Sequence, residues 1–146
     1  MEYKVYTPKD ELSDNKKKEI ADFLYEHLDQ FGDEHKYIMK CINFAHDDKT
    51  KFGGFIVTAT DEGKIVGAVV VNKTGMSGYI PDNILVYIAV HKDYRGEGLG
   101  KILMQKTFDN AEGDIKLHVE PENPARFLYE KLGFTSKYLE MRRPQQ

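Results

Sequence analysis

A buried strand that runs straight into a glycine-rich loop is the feature that most constrains the fold of this chain. Residues 83–90, NILVYIAV, are almost continuously apolar, as in a strand that is covered on both faces. In the loop that follows, the glycines Gly96, Gly98 and Gly100 stand at every second position, and residues 99–112 have a helical pattern. This order predicts an anion site, because the free N–H groups and the dipole of a helix start favour negative charge.

The rest of the chain predicts the other elements of a mixed sheet. Residues 2–8 alternate and end at a proline, which predicts a first strand. Ser13 and Asp14 are candidate N-caps of a helix that continues to about Gly32, and residues 33–48 have one apolar face at helical spacing. The later segments are a hairpin at 55–74 with Gly63 in its turn, a strand at 114–120, a helix at 123–133 and a closing strand at 134–142.

The predicted order is β-α-α-β-β-β-α-β-α-β, an α/β fold with a mixed sheet, and we expect residues 1–146 to form a single domain. The net charge of −3 argues against an electrostatic nucleic-acid binder. No apolar run is long enough to span a bilayer, and the segment before Gly32 is charged and lacks a secretion signal. Cys41 is the single cysteine and the histidines show no metal-ligand spacing, so we expect a cytoplasmic protein without a metal.

Two common phosphate-binding motifs do not fit the glycine loop. The pattern GxxxxGK[ST], aligned on Gly100 and Lys101, needs a glycine and a hydroxyl where the sequence has Arg95 and Ile102. The dinucleotide pattern GxGxxG, started at Gly96, needs a glycine at the position of Lys101. That pattern also follows the first strand of its fold, whereas this loop follows the fourth.

The loop that remains, Arg-Gly-x-Gly-x-Gly between a strand and a helix, resembles that of the GNAT superfamily of N-acetyltransferases. Arg95, Gly98 and Gly100 stand at the positions R/Q-x-x-G-x-G/A of that family. The segment LHVEPENPARFLYEKLGF is similar to the next strand and helix of the family, and the predicted order of elements matches its fold. The resemblance spans roughly residues 54–142; the region before it, where the family binds its acceptor, matches only as two helices after a strand.

The resemblance implies acetyl-CoA as cosubstrate. Its pyrophosphate would lie on the backbone amides of the glycine loop, and Arg95 would add a fork suited to phosphate oxygens. Its uncharged pantetheine arm would pair like an extra strand with the exposed backbone of Ile88 and Val90, at an edge that the family leaves open. The implied coenzyme-binding residues are Ile88, Ala89, Val90, Arg95, Gly96, Glu97, Gly98, Leu99, Gly100, Lys101, Asn123 and Tyr129.

The implied reaction is the direct attack of an amine on the thioester, which makes three demands. A base must take a proton from the amine, and a backbone N–H near Ile88 would suit the developing oxyanion. The departing thiolate, with a pKa of about 8.5 by analogy with cysteine, needs a proton. Tyr129 stands where the family places a tyrosine near the CoA sulfur, which makes it the candidate general acid; the alternative is an aromatic side chain that only packs.

The base is harder to assign. Relatives place Glu or His on the fourth strand at positions that match Ile84 and Val86 here, and neither of these can accept a proton. Glu120, at the end of the fifth strand, is a candidate base or a ligand for the acceptor ammonium. The further candidates are Asp82, Tyr79 and His118, and His118 also fits a histidine packed in the core.

The sequence leaves more than one function possible. The first is an acetyl-CoA-dependent N-acetyltransferase, with the use of a longer acyl group as a variant. The second is a CoA-binding sensor or scaffold without catalysis, which the absence of a base on the fourth strand favours. The sequence does not identify the acceptor substrate, because the acceptor would be selected by the two N-terminal helices and the loop at 74–84, which carry no interpretable motif. A homodimer is compatible with the sequence.

Overall fold

The computed structural model describes all residues from Met1 to Gln146. Its elements are β1 (Glu2–Tyr6), α1 (Asp14–His27), α2 (His35–His46), β2 (Gly54–Asp61), β3 (Lys64–Lys73), β4 (Asn83–Val90), α3 (Leu99–Asn110), β5 (Ile115–Leu117) and α4 (Ala125–Lys131), with short 3₁₀ turns at Asp29–Phe31 and Lys92–Tyr94. The five strands form one sheet in chain order, antiparallel except for β4 and β5, which run parallel. No helix has both the length and the apolar character needed to cross a membrane.

Local chemistry explains where the first helix begins and ends. The Ser13 side chain accepts a hydrogen bond from the Lys16 N–H at 3.1 Å, so the predicted N-cap is confirmed. The helix ends at His27, earlier than predicted, and a 3₁₀ turn follows. The cause is Asp29, whose φ of 54° lies in the left-handed region that an α-helix cannot contain.

The hairpin of β2 and β3 has the turn that its sequence predicts. Glu62 and Gly63 both have positive φ, at 50° and 81°, as a type I′ turn requires. The two strands pair from Gly54–Asn72 to Asp61–Lys64 with one register shift between Ala59 and Thr60, and β3 passes close to Gly54. A Cβ atom at Gly54 would lie 1.9 Å from the carbonyl oxygen of Val71.

The sheet carries one hydrophobic cluster on each face. On one face, α1 and α2 pack against side chains that include Ile56, Val70 and Tyr87. On the other face, α3 and α4 pack against side chains that include Val57 and Val69. Because both faces are covered, β4 can be apolar along nearly its whole length, as the sequence predicted.

The last two predicted strands differ in the structure. The strand β5 comprises Ile115–Leu117 instead of 114–120, and no strand forms at 134–142, where Tyr138 and Leu139 are exposed. The alternation of this segment suits a strand, but a strand also needs a partner edge. The short β5 offers only its own few residues, since the chain that follows it leaves the sheet. The observed order is therefore the predicted one without its final strand.

We predict that Gly54→Ala lowers the free energy of unfolding by about 3 kcal/mol, the upper end of overpacking penalties. The new methyl group would overlap the Val71 carbonyl, so β2 and β3 must separate locally. Urea unfolding followed by circular dichroism measures the loss. The control is Gly63→Ala, whose Cβ meets no atom within 4 Å and should cost about 1 kcal/mol through its positive φ alone. Equal losses in the two variants would contradict the prediction.

Candidate active site

The sheet opens between β4 and β5. The two strands pair only at Asn83–Ile115, Ile84–Lys116 and Leu85–Leu117. On the other side of β4, Leu85 pairs with Val71 and Tyr87 with Val70, so Val86 is the extra residue of a β-bulge. Pairing with β5 therefore ends where the bulge begins, and residues 86–90 form an open edge of β4.

The alternation of backbone hydrogen bonds along β4 shows which residues direct their N–H and C=O groups toward this open edge. The His91 N–H donates to the Val66 carbonyl on β3 at 2.8 Å, and Ala89 is paired in the same register with Ala68. Successive residues of a strand direct their backbone groups to opposite sides. Ile88 and Val90 therefore direct theirs toward the open edge, and these are the two residues that the sequence assigned to an extended ligand.

The glycine loop presents a run of free N–H groups to the same region. None of the backbone N–H groups from Arg95 to Lys101 has an acceptor in the protein, and the first bond of α3 is from the Ile102 N–H to the Gly98 carbonyl. Gly96 and Gly98 have φ of 81° and 84°, and a Cβ at either position would meet no atom within 4 Å. The positive φ values curl the backbone into a cradle of N–H groups, which suits an anion such as a phosphate.

The third glycine of the loop has a different role. Gly100 lies in the first turn of α3 without a positive φ, and a Cβ there would lie 3.3 Å from Leu128 of α4. Its small size lets α3 approach α4 closely. Alternating glycines therefore combine a conformational requirement at two positions with a packing requirement at the third.

The guanidinium of Arg95 is bonded to the protein itself. Its Nε donates to the Val90 carbonyl at 3.0 Å, Nη2 to the His27 carbonyl at 2.9 Å and Nη1 to Asp29 Oδ2 at 3.3 Å. The fork that the sequence assigned to phosphate oxygens therefore ties the glycine loop to the end of α1. One of its bonds also occupies the Val90 carbonyl, so the Val90 N–H and both Ile88 groups are the ones left for a ligand at the open edge.

A tyrosine and two histidines hold the other side of the loop. The Tyr94 hydroxyl donates to Asp61 Oδ2 at the hairpin turn, at 2.6 Å. The rings of His27 and His91 stack with their centroids 4.2 Å apart. Burial, and next His91, lower the pKa of His27, so this buried histidine is neutral near pH 7. The loop is thus attached to α1, β2 and β4 before any ligand binds.

Tyr129 of α4 is buried in the hydrophobic cluster beneath this loop. It belongs to the same cluster as Leu99, against which Val90 also packs, and its ring stands edge-on to Phe134 with the ring centroids 6.1 Å apart. Its hydroxyl makes no hydrogen bond within the protein and is not fully enclosed, since no fully buried side-chain oxygen or nitrogen lacks a partner; burial of the residue raises the pKa of Tyr129 to about 12. The phenol therefore stays protonated at neutral pH, and its proton is not donated to any group of the protein. This is compatible with a general acid and also with an aromatic side chain that only packs.

Asn123 and Glu120 lie in the connection between β5 and α4. The Asn123 side-chain oxygen accepts from the Ala125 N–H at 2.9 Å, and this bond starts α4. The carbonyl of Glu120 accepts from the Asn123 N–H, and the carboxylate of Glu120 is exposed. His118 is exposed as well, so the alternative of a histidine packed in the core is wrong.

The structure does not bring Asp82 and Tyr79 to the glycine loop. Both precede β4, and the loop follows it, so the length of the strand, roughly 25 Å, separates the two ends. Asp82 accepts hydrogen bonds from Ser77 and Asp114 there, which lower the pKa of its carboxyl group, and Tyr79 is exposed. Neither side chain is placed to serve as a base at the open edge.

Sequence reasoning missed a second tyrosine at the open edge. The hydroxyl of Tyr87 donates to Asp33 Oδ2 at 2.5 Å, and burial followed by this bond raises the pKa of Tyr87. The one clue was a tyrosine inside an otherwise aliphatic strand. Its partner lies far away in the chain, between α1 and α2, and no pattern in the sequence connects the two residues.

Comparison with known families gives a match over residues 52–136, to a family described as an acetyltransferase (GNAT) domain. N-alpha-acetyltransferase 30 of Schizosaccharomyces pombe is 31% identical to the chain over 85 residues. That alignment covers 55% of this chain and 57% of the relative, so the chain spans little more than half the length of the curated relative it matches.

Solved structures with the same fold cover nearly the whole chain. The ribosomal-protein-alanine N-acetyltransferase of Brucella melitensis biovar Abortus has a TM-score of 0.67 at 18% identity, over 100% of this chain and 99% of that one. The protein PH1933 of Pyrococcus horikoshii also has a TM-score of 0.67, at 26% identity, over 96% and 93% of the two chains. The ribosomal-protein-S18-alanine N-acetyltransferase of Escherichia coli has a TM-score of 0.66 at 19% identity, over 94% and 80%.

We predict that Arg95→Met increases the motion of the glycine loop in the ligand-free protein. The substitution removes the guanidinium bonds to α1 and to the Val90 carbonyl, so the amide order parameters of Gly96 and Gly98 should fall from about 0.85 toward 0.6. Relaxation measurements on ¹⁵N-labelled protein give these values. Arg126→Met, which removes an exposed pair with Glu130, is the matched control. If Arg95 served only to contact a bound phosphate, the ligand-free loop would not change.

Proposed function

The chain belongs to the GNAT acetyltransferase family, and on this basis we propose that residues 1–146 form one enzyme domain that transfers an acetyl group from acetyl-CoA to a primary amine. The observation that carries the proposal is the run of unpaired N–H groups at the start of α3, beside the open edge of β4. Together they offer an anion cradle and an unpaired strand edge within one connected stretch of chain. A ligand with a pyrophosphate and an amide-containing arm fits both.

The coenzyme would be bound mainly by backbone atoms. Its pyrophosphate accepts hydrogen bonds from the amides between Gly96 and Lys101, in the field of the α3 dipole. Its pantetheine arm pairs with the free groups of Ile88 and with the Val90 N–H, in the way that an added strand extends a sheet. Arg95 acts by holding the loop in shape, through the bonds that it makes within the protein.

The transfer forms one bond and breaks one. The amine nitrogen attacks the thioester carbonyl carbon, the carbon–sulfur bond breaks, and the amine loses one proton while the thiolate gains one. The N–H of Ile88 is oriented to stabilise the oxyanion. Tyr129 supplies the proton to sulfur; its raised pKa makes it a weak acid, but the same apolar surroundings raise the pKa of a thiol beside it and so reduce the mismatch.

The absence of an acid–base side chain at Ile84 and Val86 of β4 constrains the acceptor. Ile84 and Val86 cannot take a proton, and Glu120 is an exposed candidate with no fixed partner. A lysine-like amine of pKa about 10.4 is neutral in roughly one molecule in 2,500 at pH 7, whereas an α-amine of pKa about 7.8 is neutral in about one in seven. The free-energy cost of the neutral form differs by about 3.5 kcal/mol between the two amines, and a site without a strong base does not reduce this cost. Weakly basic amines such as peptide α-amines are therefore the favoured acceptors, and the names of the relatives, an N-alpha-acetyltransferase and two ribosomal-protein alanine N-acetyltransferases, support this choice.

The same absence of a base also favours a second function, an acyl-CoA-binding sensor or scaffold without catalysis. The two functions differ in one assay, because only the enzyme releases free CoA from acetyl-CoA in the presence of an amine. The sequence-based expectations of a cytoplasmic protein that needs no metal and exists as a monomer or homodimer stay predictions.

We predict that Gly98→Asn raises the dissociation constant for CoA by at least about tenfold, because a side chain then stands where the phosphates approach the backbone. Asparagine tolerates positive φ and its Cβ would meet no protein atom, so the fold should be retained. Calorimetry gives the affinity and a thermal melt checks the fold. Gly78→Asn is the matched control, since Gly78 has φ of 80° and equally open surroundings. Unchanged affinity in a folded Gly98→Asn protein would disprove the loop assignment.

We predict that Tyr129→Phe lowers kcat by roughly 10²- to 10⁴-fold, the usual contribution of a positioned general acid. Phenylalanine keeps the ring and its packing, so the dissociation constant for CoA should hardly change. Because the pKa of Tyr129 is about 12, its ionisation should leave the wild-type rate unaffected throughout the neutral range. Free CoA is measured with a thiol reagent, under conditions where chemistry limits the rate. A Tyr129→Phe enzyme within threefold of wild type would show that the side chain only packs.

A further inference from the structure

One carboxylate between α1 and α2 has no cationic partner. Four other acidic residues from the middle of α1 to the start of α2 lie within 4 Å of a lysine or arginine, in the pairs Lys16–Glu19, Lys18–Asp22, Asp29–Arg95 and Lys36–Glu34, and Glu26 lies beside the neutral His27. Asp33 makes no such pair. Arg142 feels its field, since Glu140 and to a lesser degree Asp33 raise the pKa of Arg142, but the Arg142 guanidinium is paired with Glu140.

Asp33 is nevertheless fixed in position. Its Oδ2 accepts the hydrogen bond of the buried Tyr87, whose ring is packed among the side chains of α1 and α2. Its Oδ1 has no hydrogen-bond partner, and the residue is exposed. An ordered carboxylate with one free oxygen facing solvent is ready to bind a cation without the cost of ordering a flexible side chain.

A hydrogen bond links this carboxylate to the strand that carries the open edge. Tyr87 directly follows the bulge residue Val86 and directly precedes Ile88, whose backbone faces the open edge. The side chain of Tyr87 rises on the face of the sheet that α1 and α2 cover, whereas Tyr129 lies on the opposite face. The ring of Tyr87 and its hydrogen bond therefore connect the backbone beside Ile88 to the carboxylate of Asp33 on the α1–α2 side of the sheet.

The chemistry decides which nitrogen of the acceptor Asp33 can hold. A carboxylate in contact with the attacked nitrogen would stabilise its ammonium form and oppose the deprotonation that the reaction needs. A second positive charge on the acceptor has no such conflict, because it stays charged throughout. Holding that charge would orient the acceptor and leave the reacting amine free to lose its proton.

We propose that Asp33, held by Tyr87, is a specificity determinant for acceptors that carry a second cationic group besides the amine that is acetylated. This inference rests on the proposed function, because it concerns the second substrate of the same site. The shared chemistry is a primary amine with a further ammonium group a few bonds away. A peptide N-terminus followed by a basic residue and a small aliphatic diamine both have it.

The experiment is a titration that requires no turnover. Wild-type protein labelled with ¹⁵N and saturated with CoA is titrated with L-alanyl-L-lysine amide and with L-alanyl-L-norleucine amide, which differ in the second ammonium group alone. 1,4-Diaminobutane and n-butylamine form the corresponding pair for diamines. The dicationic member of at least one pair should bind about tenfold more tightly, the effect of a hydrogen bond to a charged group, and should shift the amide signals of Asp33 and Tyr87.

Two variants test the assignment to Asp33. Asp33→Asn keeps the shape and an oxygen for the Tyr87 hydroxyl but removes the charge, so the tenfold preference should disappear while the affinity for CoA is unchanged. Glu34→Gln removes one charge at the next residue, where the carboxylate is already paired with Lys36, and should keep the preference. In steady-state assays with the preferred acceptor, Asp33→Asn should raise KM about tenfold and leave kcat nearly unchanged.

Each experimental result leads to one conclusion. Equal binding of both members in both pairs, no binding of any probe, or a preference that persists in Asp33→Asn would overturn the role of Asp33. A preference carried by one pair alone identifies the source of the second charge as a peptide or a diamine. Failure of every amine to release CoA would instead count against the proposed acetyl transfer, and the titration would still report on Asp33.

Discussion

The interruption of backbone pairing between β4 and β5 is the constraint on which the rest of the site depends. Parallel strands that stayed paired along their length would consume the N–H and C=O groups of Ile88 and Val90. The pairing ends after Leu85 because β5 ends at Leu117, and the bulge at Val86 directs two consecutive side chains, Val86 and Tyr87, to the same face. Under the proposed function, this stretch of β4 would supply a hydrogen-bonding edge for one substrate and, through Tyr87, the carboxylate that binds the other.

The two faces of the sheet carry different groups at that edge. On the α3–α4 face lie the glycine loop, its unpaired amides and the buried phenol of Tyr129, all suited to a thioester with a phosphate handle. On the α1–α2 face lies the carboxylate of Asp33. Under the proposed assignments, phosphate and cation would bind at separate places, so neither charge would neutralise the binding group intended for the other.

The sequence predicted those parts of the site that depend on local backbone chemistry. Gly96 and Gly98 were recognisable because positive φ restricts the residue type, and the turn at Gly63 for the same reason. Roles that depend on distant partners were not recognisable. The resemblance implied a phosphate contact for Arg95, but no pattern could reveal its bonds to two carbonyl oxygens, because every residue possesses a carbonyl. The bond from Tyr87 to Asp33 joins positions 54 apart. Residues 134–142 have the alternation of a strand, but a strand there would need a longer β5 as its partner. The sequence of 134–142 does not contain information about the length of β5.

The end of α1 and the connection that follows it contain two acceptors of Arg95, at His27 and Asp29, and the carboxylate of Asp33. Under the proposed assignments this segment is therefore shared by the two substrates. A coenzyme that stiffens the glycine loop also stiffens this connection through Arg95, and the entropy lost in ordering it need not be lost again when the acceptor arrives. Thermodynamic reciprocity then requires that each substrate increase the affinity of the enzyme for the other by the same factor. One short stretch of chain with no regular pairing of its own would in this way couple the occupancy of one face of the sheet to that of the other.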